Sequence, residues 1–336
     1  MKNLKQIISE FNRVRIMVVG DLVWDEFIWG KVERISPEAP VPVVLETRRS
    51  YMPGGAANVA NNLRSIGCAV SLVGKVGDDA EGKTLLEDIK KLGIATNGIL
   101  CDKKSPTIVK TRVIAQHQQV VRVDRETVGL SPDFANQLAT FIIKQLPAFD
   151  AIIIEDYGKG VINPGLLHKV FPVARQLNKV IAVDPKEDHF DFYAGATVIT
   201  PNRKEAENAV SYLKIKDDQN RFRMNVARLN TDKDLNSAGK ELLRYLDLEA
   251  VLITLGEQGM RLFEKDKPPL HIDTVAQEVF DVSGAGDTVI AVFTAALASG
   301  AGKRESAILA NFAAGIVVGK LGVATVSQQE LLKTIR

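Results

Sequence analysis

Cysteine and histidine are scarce in this chain, at 2 and 4 of 336 residues, and the shortage removes whole classes of function. Cys68 and Cys101 stand alone without a C-x-x-C spacing, which argues against a zinc site or a disulfide framework and suits a reducing compartment. The scattered histidines argue equally against a His-built metal centre. Long hydrophobic runs are missing too: nothing approaches the ~18 to 20 apolar residues that span a bilayer. The opening Met1-Lys2-Asn3-Leu4-Lys5-Gln6 is charged and polar where a signal peptide would be apolar. A cytoplasmic protein with no membrane partner is therefore expected. Nor is there an excess of either charge, since 43 basic against 41 acidic residues leave +2, so no nucleic-acid footprint is present. What remains is ordinary globular composition, 46% hydrophobic and 25% charged, with no compositional break that would mark a linker. One large domain with a small appendage accommodates this length.

Short apolar runs alternate with longer amphipathic ones, the pattern of a parallel sheet flanked by helices. The buried strands expected are Arg15–Val19, Ala69–Val73, Ala151–Glu155, Val180–Asp184, Thr197–Thr200 and Ala250–Leu255. Ligands bind beyond the carboxyl ends of such strands, which makes Asp21, Asp25, Asp156, Asp184, Asn202 and Thr254 one set of site candidates. Two stretches break the rhythm. Residues 26–47 and 106–124 alternate apolar and polar residues, the second as a hairpin turning at 115–118. Pro40 and Pro42 make the first an edge strand or one that leaves the main sheet. Together they predict a small β-lid, whose outer face is expected to form a homodimer.

The chemistry concentrates in Asp281-Val282-Ser283-Gly284-Ala285-Gly286-Asp287-Thr288. Val289, Ile290, Val292, Phe293, Ala296 and Leu297 follow with helical spacing, so the amides of Gly284 to Asp287 should face whatever lies in front of a helix. An anion suits that position. Asp287, in the same turn, is placed to take a proton from an attacking hydroxyl while the amides stabilise a phosphoryl group in transfer.

Other segments carry weaker signals. Gly77-Asp78-Asp79-Ala80-Glu81-Gly82-Lys83-Thr84 matches the P-loop pattern, but three carboxylates would repel phosphates, and a βα turn with acids at a helix start explains it better. Pro53-Gly54-Gly55-Ala56-Ala57-Asn58 lets backbone approach a polyol, or serves tight helix packing. Asp21 and Asp25 can accept from sugar hydroxyls or cap a loop. Asn202 and Glu205 have the spacing of a capping box and also suit Mg²⁺, and the motif alone leaves both roles open. Lys186 is a phosphate partner or a solvated lysine. Lys110 and Arg112 share a face with Arg122 across the hairpin, where they could clamp a substrate phosphate or pair with Asp124 and Glu126.

These motifs, in this order, resemble the ribokinase-like (PfkB) carbohydrate kinases: Gly54-Gly55-Ala56-Ala57-Asn58, then Asn202 to Glu205, then Asp281 to Asp287. Ile35 to Val43, Gln118 to Asp124, Asp156-Tyr157-Gly158-Lys159-Gly160 and Val318 to Gly322 bring the resemblance closer to the branch acting on heptose 7-phosphate. The resemblance covers roughly residues 14 to 334 and implies a three-layer α/β/α sandwich with a β-sheet lid. It implies ATP-dependent phosphorylation of the anomeric hydroxyl of D-glycero-β-D-manno-heptose 7-phosphate, serving ADP-heptose and lipopolysaccharide core synthesis. A kinase for fructose or tagatose phosphate, or a non-catalytic sugar-phosphate sensor, are the alternatives.

By the same resemblance Asp287 is the base, and Gly284, Ala285 and Gly286 form the anion hole. Asn202, Arg203, Lys204 and Glu205 organise the nucleotide phosphates, with Mg²⁺ reached from Asn202 and Glu205 through water. Lys186, Thr254 and Gly256 line the ATP site and Asn311 lies near the adenine. Asp25, Gly54, Gly55, Asn58, Asp156 and Lys159 hold the sugar phosphate with Lys110, Arg112 and Arg122. Asp281 and Ser283 match positions beside which many relatives bind K⁺. Many relatives continue into a C-terminal nucleotidyltransferase, whereas this chain stops where that domain would begin. The expectation is a single kinase domain over residues 1–336, either linked functionally to a separate heptose-1-phosphate nucleotidyltransferase or cut from a longer chain that carries that activity.

Overall fold

In chain order the strands are β1 (Arg15–Gly20), β2 (Leu22–Ile35), β3 (Pro42–Gly55), β4 (Ala69–Gly77), β5 (Ala95–Asp102), β6 (Ile108–Ala115) and β7 (Gln118–Arg125). There follow β8 (Ala151–Glu155), β9 (Val180–Asp184), β10 (Val198–Ile199), β11 (Ala250–Thr254), β12 (Met260–Glu264) and β13 (Leu270–Ile272). The helices are α1 (Leu4–Ser9), α2 (Ala56–Ser65), α3 (Ala80–Lys91), α4 (Pro132–Gln145), α5 (Pro164–Gln176), α6 (Arg203–Lys216), α7 (Asp232–Tyr245), α8 (Ala285–Ala298), α9 (Lys303–Val317) and α10 (Gln328–Thr334). The computed structural model describes residues 3–116, 118–224, 228–276 and 278–335. His117, in the turn expected at 115–118, lies outside them.

A nine-stranded sheet runs β13-β12-β11-β10-β9-β8-β1-β4-β5. From β11 to β5 neighbouring strands are parallel, and β12 and β13 add an antiparallel edge. Strands buried on both faces must be apolar at every position, and alternate side chains of β1 show why. Ile16 and Val18 join the core beneath α1, α2, α3, α8, α9 and α10, while Met17 and Val19 join the one beneath α4, α5, α6 and α7. Two helical layers thus enclose the sheet, as the three-layer expectation required. β8, one of its central strands, is buried along its whole length, from Ala151 through the acidic Glu155.

The second sheet has four strands in the order β3-β2-β6-β7. It contains both stretches expected to form a lid, and Pro42 opens β3 on the sheet's edge, where no ladder partner is lost. The lid is longer than its sequence pattern. β2 begins at Leu22, so Asp25 lies within a strand instead of in a loop after β1, and Gly54-Gly55 end β3 instead of forming a loop before α2. Strands β5, β12 and β13 carry no continuous apolar run and were not expected. The segment expected as strand Thr197–Thr200 narrows to Val198–Ile199. At the rejected P-loop, Asp79 caps α3: its carboxylate accepts from the amides of Gly82 and Thr107, both at 2.8 Å, which fills the place a phosphate would need.

Candidate active site

The ends of β8, β9 and β10, the start of α8 and the lid strands converge on one cleft. Gly284 adopts the left-handed conformation (φ 78°) and caps α8 without a side chain, bringing the first turn of the helix to the sheet's carboxyl edge. The first-turn amides are not all free, as the sequence had suggested. Ala285 donates to the Val282 carbonyl at 3.2 Å, while no backbone acceptor takes the Gly286 amide among the described residues. Asp287 is buried, and its Oδ2 accepts from Asn58 Nδ2 at 2.5 Å. Asn58 is held in turn: its carbonyl accepts from Asn62, and Asn62 Oδ1 accepts from the Thr288 hydroxyl at 2.7 Å. The small residues at 54–58 thus accompany the close packing of α2 on α8, which brings Asn58 to Asp287.

Burial raises Asp287 to about 6; the Asn58 hydrogen bond opposes that shift and the Asp25 charge adds to it. A carboxylate raised in this way is a stronger base than an ordinary aspartate. Two further carboxylates stand beside it. Glu155 closes β8 and Asp184 closes β9, and one oxygen from each lies within 4.8 Å of the others and of Asp287. Burial, then the neighbouring charge of Asp184 on Glu155 and of Glu205 on Asp184, pushes both well above the usual carboxylate range. Asp184 belonged to the strand-end set; Glu155 did not, although an acid ending four apolar strand residues was a usable signal.

A cavity of about 460 Å³ opens in front of Glu155 and Asp184, walled by Lys110, Arg122, Lys159, Lys186, Lys204 and Glu205. A second, about 480 Å³ and mostly apolar, lies past the α8 turn between Thr254, Gly256, Val282, Gly286, Val289 and Asn311. Gly286 lines the second cavity and Asp184 the first, and a Cβ built at 286 would lie 3.9 Å from Asp184 Oδ2. Thr254 bridges to Asn202 across the strand ends, and Asn311 is fixed by donating to the Asp273 carbonyl at 2.8 Å.

The remaining candidates divide. Asn202 and Glu205 form the full capping box, at 2.9 and 2.8 Å, which engages Glu205 Oε2 and leaves Oε1 over. Lys186 lines the first cavity, and its amide donates to the Tyr193 hydroxyl. Arg203 turns to the Leu229 carbonyl and Gln258, and Lys204 extends toward Glu207. Asp25 is paired with Arg112 at 2.5 Å, and a side chain on Gly54 would collide with that carboxylate. Arg122 pairs with Asp124 and Lys159 with Glu126, so both make the local ion pairs that competed with phosphate binding. Lys110 instead sits 4.7 Å from the Tyr157 ring with no carboxylate in salt-bridge range among the described residues. The Asp156 carboxylate is occupied by the Gly158 amide, the Tyr193 hydroxyl and His189. Asp21 is likewise taken by the Lys159 and Val161 amides, and burial raises it to about 6. Asp281 accepts from the Ser283 amide at 2.9 Å.

Residues 14–330 match the profile of the pfkB family carbohydrate kinases. The chain belongs to that family. Among curated relatives of this pfkB kinase, the bifunctional protein HldE of Geobacter sulfurreducens is 44% identical over 335 residues, 99% of this chain and 65% of the relative. HldE of Helicobacter pylori is 42% identical over 318 residues, 94% of this chain and 65% of that one. The chain thus spans about two thirds of the length of these relatives. Among solved structures, Arabidopsis thaliana ribokinase complexed with ribose and ATP superposes with TM-score 0.73 at 18% identity, covering 96% and 98% of the two chains. Escherichia coli phosphofructokinase-2 in complex with potassium gives 0.77 at 17%, with the same coverage. These two establish the fold. No helix among the described residues is long and apolar enough to cross a membrane.

Proposed function

We propose that this chain transfers the γ-phosphoryl group of ATP to the anomeric hydroxyl of D-glycero-β-D-manno-heptose 7-phosphate, giving the 1,7-bisphosphate used for ADP-heptose and the lipopolysaccharide core. The observation that carries the reading is the α8 turn. An apolar cavity suited to adenine is lined by Gly286 of that turn, a polar, cation-walled one suited to phosphate groups is lined by Asp184 facing it, and Asp287 follows Gly286 in the same turn. Asp287 takes the hydroxyl proton as the oxygen attacks phosphorus, and the bond from phosphorus to the bridging oxygen of ADP breaks. The Gly284–Gly286 turn supports the charge that spreads over the phosphoryl oxygens. An anomeric hydroxyl is more acidic than other sugar hydroxyls, so a carboxylate base is adequate for it.

Lys110 is the cation best placed for the 7-phosphate, because Arg112, Arg122 and Lys159 already face carboxylates. Asp25, Gly54, Gly55 and Asn58 surround the sugar ring. Asp156 contributes through the position of its loop, since its carboxylate is occupied. Thr254, Gly256 and Asn311 take the nucleoside, with Lys186, Arg203 and Lys204 nearer its phosphates. The oxygen of Glu205 left over by its capping box, together with Asn202, suits a magnesium ion held through water. Such an ion neutralises charge on the triphosphate. Asp281 and Ser283 are the positions for a bound K⁺. The exposed Ile35, Leu45 and Val123 of the lid would be covered in a homodimer, and the protein would work in the cytoplasm beside a heptose-1-phosphate nucleotidyltransferase activity.

A coupled ADP-release assay over a panel of sugar phosphates tests the substrate. Heptose 7-phosphate should give the highest kcat/KM, with NMR of the product locating the new phosphate on C1 and reporting the anomer. Preference for fructose or tagatose phosphate would overturn the choice.

A further inference from the structure

Tyr193 lines neither cavity of the cleft, and its side chain is completely buried in the core beneath α4 to α7. Packing alone asks for no hydroxyl there. Phenylalanine would fill the place equally well beside Phe190 and Phe192, whose rings stand 5.8 and 6.5 Å away. A buried hydroxyl costs free energy unless it is hydrogen-bonded, and this one is used twice. It donates to Asp156 Oδ2 at 2.7 Å and accepts from the Lys186 amide at 2.9 Å. Burial, then the Asp156 charge, raises Tyr193 well above the usual phenol range, so the proton stays on the hydroxyl at neutral pH and both bonds persist.

The two bonds join separate loops, since Asp156 follows β8 and Lys186 follows β9. Asp156 Oδ1 accepts from the Gly158 amide at 2.8 Å and so fixes the turn at Gly158. The stem of Lys186 lies across that turn: a Cβ built on Gly158 would stand 3.3 to 3.5 Å from Cγ, Cε and Cδ of the lysine. The Lys186 carbonyl accepts from the His189 amide at 3.0 Å, and Pro185 restricts the backbone before it. Lys186 is thus held at its amide, its carbonyl and its stem. Its ammonium group has only Glu187, at 3.7 Å, as an ion-pair partner among the described residues, and the side chain lines the polar cavity. A flexible lysine loses rotamer freedom when it binds a phosphate, and a stem already restrained loses less.

We infer that Tyr193 is a positioning residue for phosphoryl transfer: by bridging Asp156 and the Lys186 amide, its hydroxyl fixes Lys186 to meet the nucleotide phosphates. The inference rests on the phosphate role proposed above for Lys186 and names the buried group on which that role depends. Tyr193 itself touches neither substrate. Its hydroxyl is the only acceptor for the Lys186 amide among the described residues, so nothing else takes over when it is removed.

Tyr193→Phe removes one oxygen and keeps the ring, so the core packing is retained. In the nucleotide-free protein, hydrogen exchange read by NMR at the Lys186 amide should be faster by about tenfold or more in this variant. That readout needs neither sugar nor ATP, and unchanged exchange would overturn the inference whatever the substrate. In the coupled ADP-release assay Tyr193→Phe should raise the KM for ATP about tenfold while the KM for the preferred sugar phosphate stays within about threefold. His189→Phe strips another contact from the same Asp156 oxygen without touching the Lys186 amide, and should raise the KM for ATP by less than about threefold. An equal rise would place the effect on Asp156 alone and overturn the inference. Lys186→Met should raise the KM for ATP at least as much as Tyr193→Phe, and the two together should cost no more than Lys186→Met by itself. Additive losses would overturn the inference; normal ATP kinetics in Lys186→Met would remove the phosphate role of Lys186, and the inference with it.

Discussion

Replacing Gly286 with alanine separates the stability of the α8 turn from its chemistry. A Cβ built at this position meets no neighbouring atom closer than Asp184 Oδ2, at 3.9 Å, which is ordinary van der Waals contact. Gly286 is the second residue of α8 and its φ is not positive, so the backbone accepts alanine without strain. Removing glycine from a helix stabilises by about 0.5–1 kcal/mol, a rise in Tm of roughly 1–3 °C for a chain of this size. Function should move the other way. An amide that stabilises a phosphoryl oxygen must stand about 2.7–3.1 Å from it, and a methyl group on the same residue keeps an oxygen at about 3.3 Å or more. Displacement by some tenths of an ångström up to 1 Å corresponds to a loss of up to about 10²-fold. The expected result is a protein with equal or higher Tm by calorimetry and turnover reduced about 10²-fold in the coupled ADP-release assay. Turnover within about twofold of wild type would refute the assignment of this turn to the transferring phosphoryl group.

Asp287→Asn should lower turnover by roughly 10² to 10⁴ while ATP binding by calorimetry stays near wild type, and near-native turnover would remove Asp287 as the base. Gly239 in α7 lies where a side chain would collide with the ring of the buried Phe263, so Gly239→Ala should destabilise by about 1–3 kcal/mol in urea unfolding without changing substrate preference. Glu330 is held down to about 2, chiefly by Lys320 and then by the Ser327 amide. A depressed carboxylate stabilises fully above its unfolded value of 4.5 and loses that contribution as pH falls toward the folded one, so the Tm difference between wild type and Glu330→Gln should be largest at neutral pH and shrink below about pH 5. A difference that grows on acidification would show that the Lys320 contact plays no such part.

Much of this protein was written in the chain itself. Short apolar runs such as the four residues Ala151–Ile154 read as strands buried on both faces, and their alternation with amphipathic segments dictated helices on either side. Local rules sufficed for the α8 turn and the rejection of the P-loop and offered the capping box at Asn202 as one of two roles, because a cap or a glycine turn depends on residues only three or four apart. Pairing across the fold was beyond those rules. That Asn58 would meet Asp287, 229 positions later, follows only from the packing of α2 against α8. The charges of the lid show the same limit: nothing in their spacing says that Arg112 pairs with Asp25 while Lys110 lies over Tyr157, since β2 and β6 are neighbours in space and not in sequence. Glu155 is the sharpest case. In the sequence it is one more strand-end residue; the register of β8 against β9 and the approach of α8 bring three carboxylates into one cluster beside the cleft.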